Sequence, residues 1–121
     1  MKSLALVVLG GAVGTLSRFG VNEVLPDEGL FPWATFIVNV VGSFALGVLL
    51  AALLTRHTEL RLLLGTGFLG GFTTYSALAV ETDTLLRGDH VILGVAYAVG
   101  SVVAGLAAAL AGIALGSRTR A

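Results

Sequence analysis

The 121-residue chain is 56% hydrophobic, only 12% charged and formally neutral, a balance that excludes an ordinary water-soluble globular protein and a basic nucleic-acid-binding surface. Its seventeen glycines would be out of place in a soluble helical protein but suit membrane helices, where close backbone approach replaces the missing hydrophobic drive. The absence of cysteine excludes a disulfide framework, a thiolate metal site and a cysteine nucleophile.

Apolar runs of about twenty residues, the length that crosses ~30 Å of hydrocarbon, predict four membrane helices over residues 4–21, 33–54, 62–86 and 91–115. The chain opens with one lysine before an apolar run, in the manner of a signal peptide. The run continues through Gly10 and Gly14 to Arg18 without an Ala-x-Ala site, so it is expected to be a mature helix. Arg18 shares a helical face with Gly11, Gly14 and Thr15 and lies near enough the helix end to reach the interface. It either concentrates anions at a vestibule or pairs with a carboxylate, for which Glu81 is a candidate.

The connectors, 22–32, 55–61 and 87–90, are short and hold the turn and charged residues, among them Glu23, Pro26, Asp27, Glu28, His57 and His90. One transmembrane domain over 1–121 is predicted, with no room for a soluble one. Lys2, Arg56, Arg61, Arg118 and Arg120 fall on the side of both termini, against Arg87 and the Arg18 end on the other, which predicts termini in the cytoplasm.

In the second span Thr35, Asn39 and Ser43 recur at i, i+4 and i+8 and so form a hydrogen-bonding stripe on one face. Such a stripe is either interhelical glue or a polar pathway.

The third span is the informative one. Its middle, Gly67-Phe-Leu-Gly-Gly-Phe-Thr-Thr-Tyr-Ser76, combines glycines that relax the backbone with a β-branched pair that disfavours the regular turn, so a break is predicted near Gly70-Gly71 and Thr73-Thr74. Broken backbone at bilayer depth survives only where protein or water satisfies it, and such breaks bind ions. Freed carbonyls such as those of Gly70 and Thr73 would suit a hard monovalent cation, and nearby hydroxyl and amide hydrogens an anion. A glycine-rich packing groove is the plainer reading of the same residues. The fourth span repeats the polar spacing more weakly with Tyr97 and Ser101.

Small residues four apart, Gly10/Gly14, Ser43/Gly47, Gly67/Gly71, Ser101/Gly105 and Gly112/Gly116, mark helix contacts. Four thin helices leave no space for both a pore and its wall, so an oligomer is expected. No nucleotide-binding loop, metal-ligand cluster or nucleophile with its base is present in the sequence, and no enzyme activity is expected.

Three blocks, Gly10-Gly-Ala-Val-Gly-Thr-Leu-Ser-Arg18, Ala34-Thr-Phe-Ile-Val-Asn39-Val-Val-Gly42-Ser43 and Gly67 to Ser76 running on to Glu81, make nearly the whole chain resemble the CrcB, or Fluc, family of fluoride channels. The resemblance implies an all-α protein of the cell inner membrane that pairs as an antiparallel, dual-topology dimer. It also implies a structural Na+ held by the carbonyls of Gly70 and Thr73, and passive fluoride export past Asn39, Tyr75, Ser76, Leu78, Tyr97 and Ser101. Arg18 and Glu81 match the family's arginine and glutamate. Tyr75 keeps one ring of the family's usual phenylalanine pair and Leu78 does not keep the other; Ala34 and Ala77 replace a glycine and a threonine. The cation bias, with Leu78, raises the alternative of a related partner chain of opposite orientation in a heterodimer. A proton-coupled multidrug or guanidinium exporter is a further alternative, against which stands the lack of an acid in the first span; a non-conducting packing subunit is a third.

Overall fold

A computed structural model of the chain describes residues 1–25, 29–53 and 56–119. Pro26, Asp27 and Glu28 of the first connector, Leu54 and Thr55, and the cation Arg120 lie outside the described residues. Helix α1 is Lys2–Val24 and α2 is Trp33–Ala52. The third span, Thr58–Arg87, is two helices: α3, residues 58–72, and α4, Tyr75–Arg87. Helix α5 is Val91–Arg118. The four spans are each long and apolar enough to cross a membrane. The predicted starts at Trp33 and Val91 coincide with the observed ones, whereas α1, α3 and α5 run past the predicted ends because their polar flanks continue the helical turns.

Side chains at helix ends explain where the spans begin. Pro32 precedes α2 and Trp33 opens it, and the rings of Phe31, Trp33 and Phe36 gather there with Tyr97 of α5. Aromatic rings of this kind settle at the membrane–water boundary. Thr74 caps α4 by accepting a hydrogen bond from Ala77 N–H at 3.1 Å.

Packing is set by glycine. Helix α1 lies on α3, and α2 on α5. A β-carbon at Gly14 would overlap the Phe68 carbonyl oxygen, and one at Gly112 the Phe44 carbonyl oxygen, so both helix pairs approach backbone to backbone. Gly10, Gly47, Gly67, Gly71 and Gly116 make similar approaches, which assigns most of the predicted small-residue pairs to contacts within the subunit. Residues 61–69 of α3 are wound as a π-helix, a feature the apolar pattern did not predict. Gly65 and Gly67, both buried, leave room for the wider turn, and the Leu63 and Phe68 carbonyls, five residues apart, then face Gly10 and Gly14, four apart on α1.

The buried core is small: Ala34, Val38, Ala51, Leu69, Leu85 and the fully buried Tyr97. Large apolar side chains instead cover the outside, Leu9, Leu16, Val102 and Leu106 among them. A surface of that kind is stable only against lipid or another protein.

Candidate functional site

The break in the third span falls at Thr73 and Thr74, both extended, with φ −80°, ψ 158° and φ −148°, ψ 121°. Gly70 and Gly71, expected to be part of it, are helical. Their smallness serves packing instead, since a β-carbon at Gly71 would strike the Gly11 carbonyl of α1.

Asn39 holds the break. Its Oδ1 accepts from Thr74 N–H at 2.8 Å and its Nδ2 donates to the Thr74 carbonyl at 2.9 Å, so one side-chain amide supplies the acceptor that Thr74 N–H loses at the break and a second donor to the N-cap carbonyl of α4. Gly42, one turn on, makes room for the Thr73 methyl. Thr73 Oγ1 donates back to Leu69 O at 2.8 Å, and Thr74 Oγ1 lies 3.2 Å from Ser76 Oγ. The last four carbonyls before the break, those of Gly70, Gly71, Phe72 and Thr73, lose their helical donors as a result, and Thr15 Oγ1 lies 3.5 Å from Gly71 O. The Thr74 amide that would return to Gly70 O is taken by Asn39, and the Ala77 amide that would return to Thr73 O is taken by Thr74 Oγ1. Gly70 and Thr73, the two carbonyls named from the sequence, are two of these four.

The stripe on α2 divides its work. Thr35 Oγ1 donates to Glu81 Oε1 at 2.8 Å, Asn39 clamps the break, and Ser43 faces a groove. The second oxygen of Glu81 accepts from Tyr97 O–H at 2.6 Å. Glu81 therefore ties α2, α4 and α5 together, and the pairing of Arg18 with Glu81 is not formed: the carboxylate is taken up by two hydroxyls, and among the described residues it has no ion pair. Four residues along α5 from Tyr97, the Ser101 hydroxyl is buried, 6% exposed, and has no hydrogen-bond partner among the described residues. A buried hydroxyl left this way costs about 1–3 kcal/mol unless something else satisfies it.

A groove of about 750 Å³ runs along α2 and α3 to the start of α4, lined by Asn39, Ser43, Thr66, Gly70, Thr73 and Tyr75, with Leu78 at one end. It brings together five of the predicted site residues, Gly70, Thr73, Asn39, Tyr75 and Leu78. Ser76, Tyr97, Ser101, Arg18 and Glu81 do not line it. Tyr75 is 82% exposed, a ring projecting from the break itself. Among the described residues no three His, Asp or Glu side chains stand together, so a cation at the groove would rely on main-chain oxygens.

Sequence reasoning missed Thr74 as the clamped residue and Thr35 as a partner of Glu81. The first had a signal, a threonine just before a helical pattern, which is the preferred N-cap residue. The second had none, because the two residues are 46 positions apart.

Residues 5–113 match the family described as "CrcB-like protein, Camphor Resistance (CrcB)". The chain is 48% identical over 115 residues to the fluoride-specific ion channel FluC 2 of Rhodococcus jostii, covering 95% of this chain and 99% of that one. It is 45% identical over 122 residues to the fluoride-specific ion channel FluC 2 of Leifsonia xyli, covering 96% and 84%. It is 43% identical over 120 residues to the fluoride-specific ion channel FluC of Thermus thermophilus, covering 96% of each.

Proposed function

The chain belongs to the CrcB-like family, and from that premise we propose that it is a subunit of a fluoride-selective channel that lowers cytoplasmic fluoride by passive export of the anion. The observation that carries the reading is the break at Thr73-Thr74, where Asn39 pins the backbone beside a groove of hydroxyl and amide groups. Fluoride is small and strongly hydrated, so it must trade water for close donors. In a low-dielectric passage such donors are worth more than in water.

Asn39 keeps one amide hydrogen beyond the one it gives to Thr74 O, and the Tyr75 ring edge and the Ser43 and Thr66 hydroxyls that line the groove supply further positive ends. Flow needs no coupled energy source. A potential of 100 mV, negative inside, contributes about 2.3 kcal/mol per charge toward expelling an anion.

The groove and the outward apolar faces support assembly with a second chain, and an antiparallel pair would bring two breaks together. The Gly70 and Thr73 carbonyls are neutral hard donors that fit a monovalent cation such as Na+, and two from each chain would share it. When bound, the ion would offset the partial negative charge of the carbonyls that the break releases.

One observation favours a heterodimer as the second reading. Lys2, Arg56, Arg61 and Arg118 all lie at the end that carries the α1 start and the α5 finish, a bias that works against inserting one chain both ways. Leu78 then faces a partner chain that supplies the missing ring.

The function is tested in cells lacking this protein. Loss of fluoride tolerance that is restored by wild type and not by Asn39→Asp supports the channel; tolerance unaffected by the deletion, in cells with no second such protein, contradicts it.

A further inference from the structure

At the end of the bundle away from the termini, the 29–32 segment and one face of α4 border an open pocket of about 440 Å³. Glu81, Thr84, Leu85 and Gly88 line it at i, i+3, i+4 and i+7, and Phe31 and His90 complete it. Its size is within the ~300–1,000 Å³ of small-molecule sites.

We infer that this pocket binds a small organic cation, an aryl-substituted guanidinium or ammonium, with its charge on Glu81 and its apolar part against Phe31. The carboxylate is fixed in place, because Thr35 and Tyr97 donate to its two oxygens from α2 and α5. An ionised carboxylate has about four acceptor positions, and these bonds use one on each oxygen. The remaining pair suits the parallel N–H groups of a guanidinium.

Among the described residues Glu81 has no ion pair, and the arginine on its own helix, Arg87, is engaged with Asp83 at 2.8 Å. The ring that would face the cation is held as firmly as the carboxylate: Phe31 stands edge-on to Tyr97 at 5.2 Å and 4.4 Å from Trp33. A cation over such a face gains electrostatically, the more so when desolvated.

The composition of the wall selects the class of guest. A bare divalent ion lacks its ligands, since no three acidic or imidazole groups meet among the described residues, and a hydrated one would lose water against Phe31 and Leu85. An anion would meet the Glu81 charge. An organic cation satisfies the carboxylate and the apolar wall together.

The inference does not depend on ion conduction, and it is tested by binding alone. Phenylguanidinium is titrated calorimetrically into the full chain in detergent, with uncharged phenylurea as the control. Saturable binding near one per chain is expected, with phenylurea binding at least ~10-fold more weakly, as losing a charge-assisted hydrogen bond implies. Glu81→Gln should weaken the guanidinium by at least ~10-fold. Phe31→Leu, which keeps the wall apolar and leaves Glu81 untouched, should weaken it by about 3-fold or more and decides the case if the first variant misfolds. Equal binding of phenylurea and phenylguanidinium, or unchanged affinity in Phe31→Leu, would overturn it.

Discussion

Asn39 and Thr74 exchange two hydrogen bonds across the break in the third membrane span, Thr74 N–H to Asn39 Oδ1 at 2.8 Å and Asn39 Nδ2 to Thr74 O at 2.9 Å. The side-chain amide acts as a surrogate peptide unit. Without it the extended threonine would bury an unsatisfied N–H, while its carbonyl keeps the N-cap bond of α4. The Gly70 and Thr73 carbonyls are released from helical pairing as a consequence of this exchange and of the Thr74 cap.

Asn39→Ala removes both bonds and should lower stability by about 1–3 kcal/mol, the cost of leaving the buried Thr74 N–H unpaired while its carbonyl keeps the N-cap bond of α4. Asn39→Asp keeps an acceptor for Thr74 N–H but sets a second acceptor against Thr74 O. Chemical or thermal unfolding in detergent measures both variants, and each should fall below wild type. A variant as stable as wild type would show that the break holds itself.

The glycine contacts give a paired test. Gly14→Ala meets the Phe68 carbonyl oxygen and should cost about 1–3 kcal/mol, the range for overpacking, whereas a β-carbon at Gly100 meets open space. Gly100→Ala should therefore be neutral or stabilising by up to ~1 kcal/mol. Unfolding midpoints of the two single variants check the contrast.

Tyr97 is fully buried, so Tyr97→Phe keeps its packing and deletes only the hydroxyl bond to Glu81. A loss of roughly 1–3 kcal/mol is expected, and Thr35→Val should lose a similar amount. Because both hydroxyls serve one carboxylate, the double variant should depart from additivity, by more than ~0.5 kcal/mol in a double-mutant cycle. Strict additivity would indicate that Glu81 does not couple α2 to α5.

If the groove along α2 and α3 receives a second chain, filling it should prevent assembly. Thr66→Trp places a large ring in that groove, while Val102→Trp lies outside it on an exposed face of α5. The mass of the protein–detergent particle should fall to that of a single chain for Thr66→Trp and stay at that of a pair for Val102→Trp. Identical masses for the two would place the partner elsewhere.

What was legible in the sequence follows from what is local. The four spans and the interruption of the third could be read because apolar length and the Gly-Gly and Thr-Thr pairs act on their own neighbours. The break settles on the threonines and not the glycines because Gly71 is needed against the Gly11 carbonyl, a contact between helices that no local pattern reports. The π-helical 61–69 stretch was equally hidden, since its register answers to Gly10 and Gly14 on another helix. Glu81 was noticed as an acid near a span end. Which of Arg18, Thr35 and Tyr97 it would meet depended on how α1, α2 and α5 pack, and the hydroxyls reached it.

The most direct test of a fluoride path built on the clamped break is anion release from liposomes containing the purified chain, comparing fluoride with chloride and wild type with Asn39→Asp. Rapid fluoride release with chloride retained, lost in Asn39→Asp, is the expected result. Chloride leaving as fast as fluoride, or fluoride release unchanged by the substitution, would contradict it.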